Sequence, residues 1–347
     1  MKPITTLSLS NDAIRAAVIA NPYTERPQIL QYRTIGLPTG AVVDGEVVDP
    51  QTVTGLLRGL IKTAKFPKDL ALVYTSRRVV YREMTFPEMP LAELRDTLPF
   101  QVKNYIALPV DDSIIDFVPL TREEQAQGAV LHGMVVATLR TGVEKTTTAI
   151  QNAGFAVRSV DVSAFSLARV FRDQSREKAI AVVNVGSNST DVIVLSQGHP
   201  VALRAVPSGA DDITQAVAKA LDIPFEGALE IKNRIGLQNV VGDERLEKAE
   251  EIIRDTTAQL IVGIRNTLNV YNTDHPAQVA DDIVLVGAGS MLAGFPPVLA
   301  SSTNKTVTIG DPFVHFIVGE DAKRQNINVH GPEYAAVLGL ALGKRPR

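Results

Sequence analysis

The sequence predicts an α/β protein built from two related lobes and one inserted unit, and three observations carry that expectation. Strand-like and helix-like segments alternate along the chain. One strand–turn–strand pattern occurs twice, at residues 7–18 (LSLSNDAIRAAV) and 183–194 (VNVGSNSTDVIV). Between them, Pro87, Pro90, Pro99 and Pro109 punctuate residues 85–109, as at the edges of a separate unit.

A chain of 347 residues with 45% hydrophobic content exceeds one ordinary domain and can bury a large core. A net charge of −3, with Lys and Arg spread along the chain, predicts no nucleic-acid partner. The absence of cysteine excludes disulfides and thiolate metal sites and fits a reducing compartment. The start, MKPITTLSLSND, lacks the signal-peptide pattern, and no run of about eighteen apolar residues exists. A soluble protein without a membrane span, kept inside the cell, is expected.

After the first hairpin, strand-like runs occupy 70–74 and 78–84, and strands follow in IIDFVPL and MVVATL. Helical spacing covers 143–153, stopped by Gly154, and 162–171. The most informative stretch is 179–195, AIAVVNVGSNSTDVIVL, which reads as a β-hairpin. Its turn holds Gly186, Ser187, Asn188, Ser189 and Thr190, small residues whose backbone amides can converge on a phosphate. Asn184 opens it, where a magnesium-using phosphate loop wants a carboxylate. Past Gly209, Asp211 and Asp212 stand at the expected N-cap of a helix carrying Ile213, Ala216, Val217, Ala220 and Leu221. A helix start aimed at a cleft favours an anion. A long helix is expected over 244–271. DDIVLVGAGSMLAGFPPVL then predicts a buried strand, a glycine turn at 287–290 and a short helix ended by Pro296 and Pro297. The tail, EYAAVLGLALGKRPR, reads as an apolar helix with a basic end.

Other chemistries lack their motifs. The five histidines, His132, His199, His275, His315 and His330, are scattered and predict no metal site. Neither a GxSxG elbow nor a P-loop occurs. The EDAKR and KRPR clusters read as solvated charge; four residues are few for a lipid-headgroup patch.

In order and spacing these features resemble the actin-like superfamily, and within it the type IV pilus assembly proteins of the PilM family. The actin-like pattern is two phosphate hairpins and a late adenosine turn, here 7–18, 183–194 and 286–290. The pilus-type pattern lies in REMTFPEMPLAELRDTLPFQVKNYIALPVDDSIIDFVPL at 82–120, NAGFAVRSVDVSAFSLARVF, PSGADDIT and YAAVLGLALG. The resemblance implies an actin-like fold: two lobes with duplicated RNase H-like cores plus a small α+β insert. Residues 1–83, 161–177 and 332–347 would form the first core, and 178–220 with 279–331 the second. The insert would span 84–160 and a helical subdomain 221–278.

The resemblance also implies a function. It points to a cytoplasmic scaffold of the pilus platform, peripheral at the inner face of the cytoplasmic membrane through its partners. Those partners would be the N-terminal cytoplasmic peptide of a PilN-like inner-membrane protein and other platform components. A peptide groove between the first subdomain and the insert would use Arg82, Met84, Phe86, Leu98, Phe100 and Tyr105, residues that read equally well as core packing. For ATP with magnesium, the matching positions are Ser10, Asn11, Arg15, Gly186, Ser187, Asn188, Thr190, Gly209, Lys232, Gly287, Gly289 and Ser290.

Departures from the pattern matter as much. Each family hairpin opens with aspartate, an apolar residue and glycine; this chain has Ser8-Leu9-Ser10 and Asn184-Val185-Gly186. The family's glutamate three residues before the lysine is Leu229 here, with Glu230 on a different helix face. Losing two carboxylates removes magnesium's anchors, and hydrolysis needs that metal to neutralise developing charge. Little or no ATPase activity is expected, and no residue is assigned a catalytic role. Weak nucleotide binding and an empty cleft both stay open, since turn hydroxyls also serve local backbone bonds and glycines serve positive φ. The competing readings are an active actin-like ATPase, filament or sugar kinase, or an FtsA-like membrane-tethered division protein. The missing acids count against the first three, and a chain ending at 344–347 without an amphipathic membrane helix counts against the last.

Overall fold

The computed structural model describes residues 2–126, 128–325 and 327–343. β1 (Ile4–Leu9), β2 (Ala13–Ala20) and β3 (Gln28–Gly36) form an antiparallel meander, followed by the small hairpin of β4 (Val42–Val43) and β5 (Glu46–Val47). α1 (Pro50–Lys62) starts at Asp49, whose carboxylate accepts the Gln51 and Thr52 amides, both at 3.1 Å, with proline at the first helical position. Its buried Val53, Leu57 and Leu60 recur at helical period and face the sheet. β6 (Asp69–Tyr74) then runs parallel to β1.

The insert comprises β7 (Val80–Pro87), α2 (Leu91–Val102), β8 (Ser113–Gln125) and β9 (Gly128–Leu139). Its antiparallel sheet has the order β7-β9-β8, and α2 buries Leu94, Leu98 and Val102 against Phe86, Phe117 and Val135. The Phe86 and Phe117 rings meet edge to face, with centroids 4.9 Å apart. α3 (Arg140–Asn152), β10 (Ala156–Val162) and α4 (Ser163–Val170) lead back to the first lobe.

The second lobe opens with the meander β11 (Ile180–Val185), β12 (Thr190–Ser196) and β13 (His199–Val206). α5 (Ala210–Leu221), α6 (Phe225–Ile235) and α7 (Glu244–Asp274) follow, then β14 (Asp282–Val286), α8 (Phe295–Thr303) and β15 (Thr306–Ile309). β16 (Ile317–Val318), α9 (Glu320–Arg324) and α10 (Ile327–Gly339) complete the described chain.

The two large sheets prove the duplication. The first reads β3-β2-β1-β6-β10 with β16 outside β3, and the second reads β13-β12-β11-β14-β15. In both, an antiparallel meander is extended by two parallel strands. This is the actin-like α/β fold. A continuous core, including Phe171, Ile193, Val286 and Tyr334, joins the lobes beneath the cleft.

Four local expectations are corrected. β10 pairs in parallel with β6 from Ala156 to Val162, so this strand belongs to the first sheet although the insert was expected to reach residue 160. β16 pairs with β3, which draws part of 279–331 to the first lobe. Pro296 and Pro297 begin α8 instead of ending it, because the first helical turn has no intrahelical use for the missing amides. Gly209, not an aspartate, is the N-cap of α5; Asp212 lies inside the first turn and its carboxylate accepts the Gly209 amide at 2.7 Å. The KRPR cluster, at 344–347, lies outside the described residues. No helix among the described residues is long and apolar enough to cross a membrane.

Candidate functional site

The two hairpin turns face one cleft, and most cleft groups are already committed to each other. Ser10 Oγ donates to Asp12 Oδ1 at 2.7 Å. The buried Arg15 guanidinium reaches Asp12 at 2.6 Å, Ser10 Oγ at 3.0 Å and Glu333 at 3.0 Å. Burial pushes the Asp12 carboxyl up, but Arg15 outweighs it and holds the group below its ordinary range. Asn11 Nδ2 donates across the cleft to Asp211 Oδ2 at 3.2 Å, while Asn11 Oδ1 accepts the Gly45 amide at 3.1 Å.

In the second lobe, the amides of Ala210 and Asp211, which open α5, donate to the Gly186 and Ser187 carbonyls at 2.9 and 2.8 Å. The helix start therefore spends its first donors on the hairpin, not on the cleft, contrary to the anion site expected there. Gly209 permits this approach: a Cβ there would stand 2.5 Å from the Ser187 carbonyl oxygen. Thr190 Oγ1 donates to Ser208 O at 2.9 Å. Lys232, buried on α6, donates to Ala210 O at 3.1 Å and Thr214 Oγ1 at 2.7 Å. Its burial lowers its pKa, with Asp211 and Asp12 opposing.

Two cleft residues, Arg77 and Asp191, carry no motif in the sequence, and a third, Asp211, shows there only as a helix cap. Arg77, just past β6, crosses to the second lobe, where its Nε donates to the Asn188 carbonyl and its Nη2 meets Asp212 at 3.0 Å. Asp191 stands across the strand pair from Asn184, which donates to it at 3.4 Å, and Ser163 Oγ donates to the same carboxylate. Burial raises that carboxyl against both hydrogen bonds. Asp211 is pushed up to about 6, first by burial and then by Asp12, with the Asn11 bond and Lys232 opposing. Because its folded pKa lies above the ordinary value of a free aspartate, its protonation stabilises the fold fully below that ordinary value, a contribution lost as pH rises through about 6. Urea midpoints measured from pH 4 to 7 should fall over this window in the native chain, and the fall should shrink in Asp211→Asn; identical profiles would contradict the assignment.

At the glycine turn, Gly287 has φ +90 and packs on Val185, where a Cβ would lie 2.4 Å from the carbonyl oxygen. Ser290 Oγ donates to Gly287 O at 2.6 Å, and Gly289 packs on the Val185 side chain. The cavity between this turn and Lys232 encloses about 70 Å³, and the one beside the second hairpin about 50 Å³. A wider, open concavity of about 720 Å³ borders the same turn on its other side, lined by Ser290, Met291, Gly310, Asp311, Phe313 and Pro332. Ser187 Oγ and Asn188 Nδ2 are buried there without hydrogen-bond partners among the described residues. No group of three or more His, Cys, Asp or Glu suited to a metal occurs among the described residues.

A second concavity lies elsewhere. β8 is an edge of the insert's sheet and β10 an edge of the first large sheet, and between them a groove encloses about 280 Å³. Ile114, Asp116 and Val118 of β8 point into it at strand period, opposite Val160 and Val162 of β10 and Phe165 of α4. Val136 and Thr138 of β9 and Tyr74 at the end of β6 complete it. Asp116 and Asp161 each accept the amide of the following residue, at 2.8 Å, which blunts both open edges.

The six residues expected to line a peptide groove are not brought together there. Phe86 and Leu98 are buried in the insert's core and Met84 packs against it. Phe100 and Tyr105 are exposed, and Arg82 Nε donates to the Tyr105 carbonyl at 3.1 Å. The alternation in IIDFVPL carried the missed signal: it marks a strand with two apolar faces, one of which has no partner inside the insert.

Comparison with known proteins agrees with this architecture. Cell division protein FtsA of Borreliella burgdorferi is 24% identical over 219 residues, 56% of this chain, and the match spans half the length of that relative. A solved PilM–PilN type IV pilus biogenesis complex superposes with a TM-score of 0.84 at 22% identity, covering 97% of each chain. MreB5 of Spiroplasma citri bound to ADP superposes at 0.53 with 10% identity, covering 98% of this chain and 95% of its own. The profile of the type IV pilus assembly protein PilM matches residues 7–345, so this chain belongs to the PilM family of type IV pilus assembly proteins.

Proposed function

We propose that the chain is a cytoplasmic scaffold of the pilus assembly platform, held at the inner face of the membrane by gripping the N-terminal peptide of a PilN-like protein. The groove between β8 and β10 carries this reading: it is largely apolar and lies between two strands of different sheets, so side-chain packing would hold a docked segment. The solved relative in complex with PilN supports the same partner class. A labelled synthetic peptide copying the cytoplasmic start of a PilN-like protein should bind saturably. No binding at high micromolar concentration would overturn the proposal.

The same reading assigns no ATP turnover to the cleft. The Gly186 amide and the first two amides of α5 are bonded within the second lobe, Arg15 is held by two carboxylates, and Arg77 reaches across the mouth. Purified protein with millimolar Mg-ATP should release no phosphate above blank and show no rise in melting temperature. A second reading, residual anion binding without hydrolysis, has the unpartnered Ser187 Oγ and Asn188 Nδ2 in its favour, and a rise in melting temperature without phosphate release would select it.

A further inference from the structure

We propose that the end of the first lobe opposite the cleft is a basic surface that lies against the anionic headgroups of a lipid bilayer. β1, β6 and β10 are parallel and all begin at this end, whereas the hairpin turn at 10–12 closes the other. One corner therefore gathers Lys2 ahead of β1, Arg58 and Lys62 on the last two turns of α1, Lys65 and Lys68 in the loop to β6, and Arg158 early in β10. Thr5 Oγ1 donates to Pro67 O at 2.7 Å, the Ala156 amide to Lys68 O at 2.8 Å and Arg58 Nη2 to Asn152 O at 3.0 Å, which ties these pieces together. All six cations are exposed. Asp69 is held by Arg158 at 2.6 Å, and Glu25, in the turn between β2 and β3, has Arg26 beside it. Lys2, Arg58, Lys62, Lys65 and Lys68 make no ion pair among the described residues.

The duplicated second lobe shows the alternative. At the corresponding strand starts there, Lys178 before β11 is paired with Asp282, and Lys305 before β15 with Asp281 at 2.7 Å. The same architecture can thus neutralise lysines at this end, and the first lobe leaves its own unpaired. A cation at a helix C-terminus offsets the helix dipole, which accounts for Lys62. Lys65 and Lys68 lie beyond the helix and have no such use. Clusters of about four to eight Lys and Arg are held by anionic lipid, each cation adding to the attraction. The choice of a bilayer rests on the scaffold reading, because the corner adjoins the proposed groove: Arg158 precedes Val160 by two residues on β10, about 7 Å at the rise of a strand. A basic patch alone holds a protein weakly, and stable anchoring takes a second attachment. The gripped peptide, itself tethered in the bilayer, supplies one.

Co-sedimentation of the full chain, without peptide, with vesicles of phosphatidylcholine mixed with phosphatidylglycerol, beside vesicles of phosphatidylcholine alone, tests the proposal. Binding is expected to the mixed vesicles only, and to weaken as salt rises. Lys62→Gln/Lys65→Gln/Lys68→Gln should cut it on the order of 100-fold, with the melting temperature and the affinity for the PilN-like peptide unchanged. Lys178→Gln/Lys305→Gln, which removes lysines already paired, should bind the vesicles like the native chain. Equal binding to both kinds of vesicle, native binding by the triple variant, or an equal loss in the second-lobe variant overturns the lipid surface. No binding of the native chain to the mixed vesicles overturns it too, and a labelled DNA duplex bound in their place would assign the corner to nucleic acid. Peptide affinity, measured separately by anisotropy, keeps the two readings distinct: a chain that binds the mixed vesicles through these lysines but no peptide would sustain the lipid surface and remove the scaffold reading.

Discussion

Ile114→Asp combined with Val160→Asp is expected to weaken binding of the PilN-like peptide by on the order of 100-fold or more and to leave the fold intact. Both residues are already partly exposed, at 37% and 42%, so a carboxylate at either position keeps its water in the free protein. They belong to β8 and β10 and face the same groove, so a docked apolar segment would strip that water from both. Central interface positions of this kind cost about 2 kcal/mol or more when disrupted, and every 1.4 kcal/mol is tenfold in affinity. Anisotropy titration reads the affinity and circular dichroism melting reads the fold. Native affinity in the double variant would remove the groove from the account.

Arg15→Met should destabilise the free protein by about 3 kcal/mol, seen as a lower urea midpoint at unchanged slope. The guanidinium is buried between Asp12 and Glu333, and removing it leaves two partly buried carboxylates without their counter-charge. Asp12 keeps some contact with water, which places the cost at the low end of the range for such pairs. A phosphate ligand would behave differently: its loss would cost little in the absence of nucleotide. A stability change below about 0.5 kcal/mol, the usual size for a surface substitution, would contradict the structural role.

The repeated hairpin was legible because its signal is local. Alternating apolar residues around a small polar turn define β1–β2 and β11–β12, and the structure extends each into the same sheet order. The prolines mark the insert's edges, whereas Phe86 and Leu98, which read equally well as groove residues and as core packing, sit in its core. An apolar residue on a strand or helix shows which face is buried, not what covers it, so the core of the insert and a peptide groove looked alike. The groove itself forms between β8 and β10, strands about 45 residues apart in the chain and in different sheets, and no local pattern reports that meeting.

The cleft shows a similar limit. Ser8 and Asn184 are visible as departures from an acidic pattern, yet Asp12 and Asp191 bring carboxylates to the cleft walls from neighbouring positions. Arg77 follows β6 with no motif of its own and gains its role only because the second lobe closes over it. The anion site read into the start of α5 fails for a reason of packing: Gly209 lets the helix approach so closely that the hairpin carbonyls take its first amides.

We propose that this chain works as a peptide-gripping scaffold through the groove between the insert and the first lobe. A crystal structure of the full chain with the PilN-like peptide tests it most directly. An extended segment is expected between β8 and β10, packed on Ile114, Val118 and Val160. A peptide seated instead over the exposed Phe100 and Tyr105, or in the cleft between the two hairpins, would contradict it.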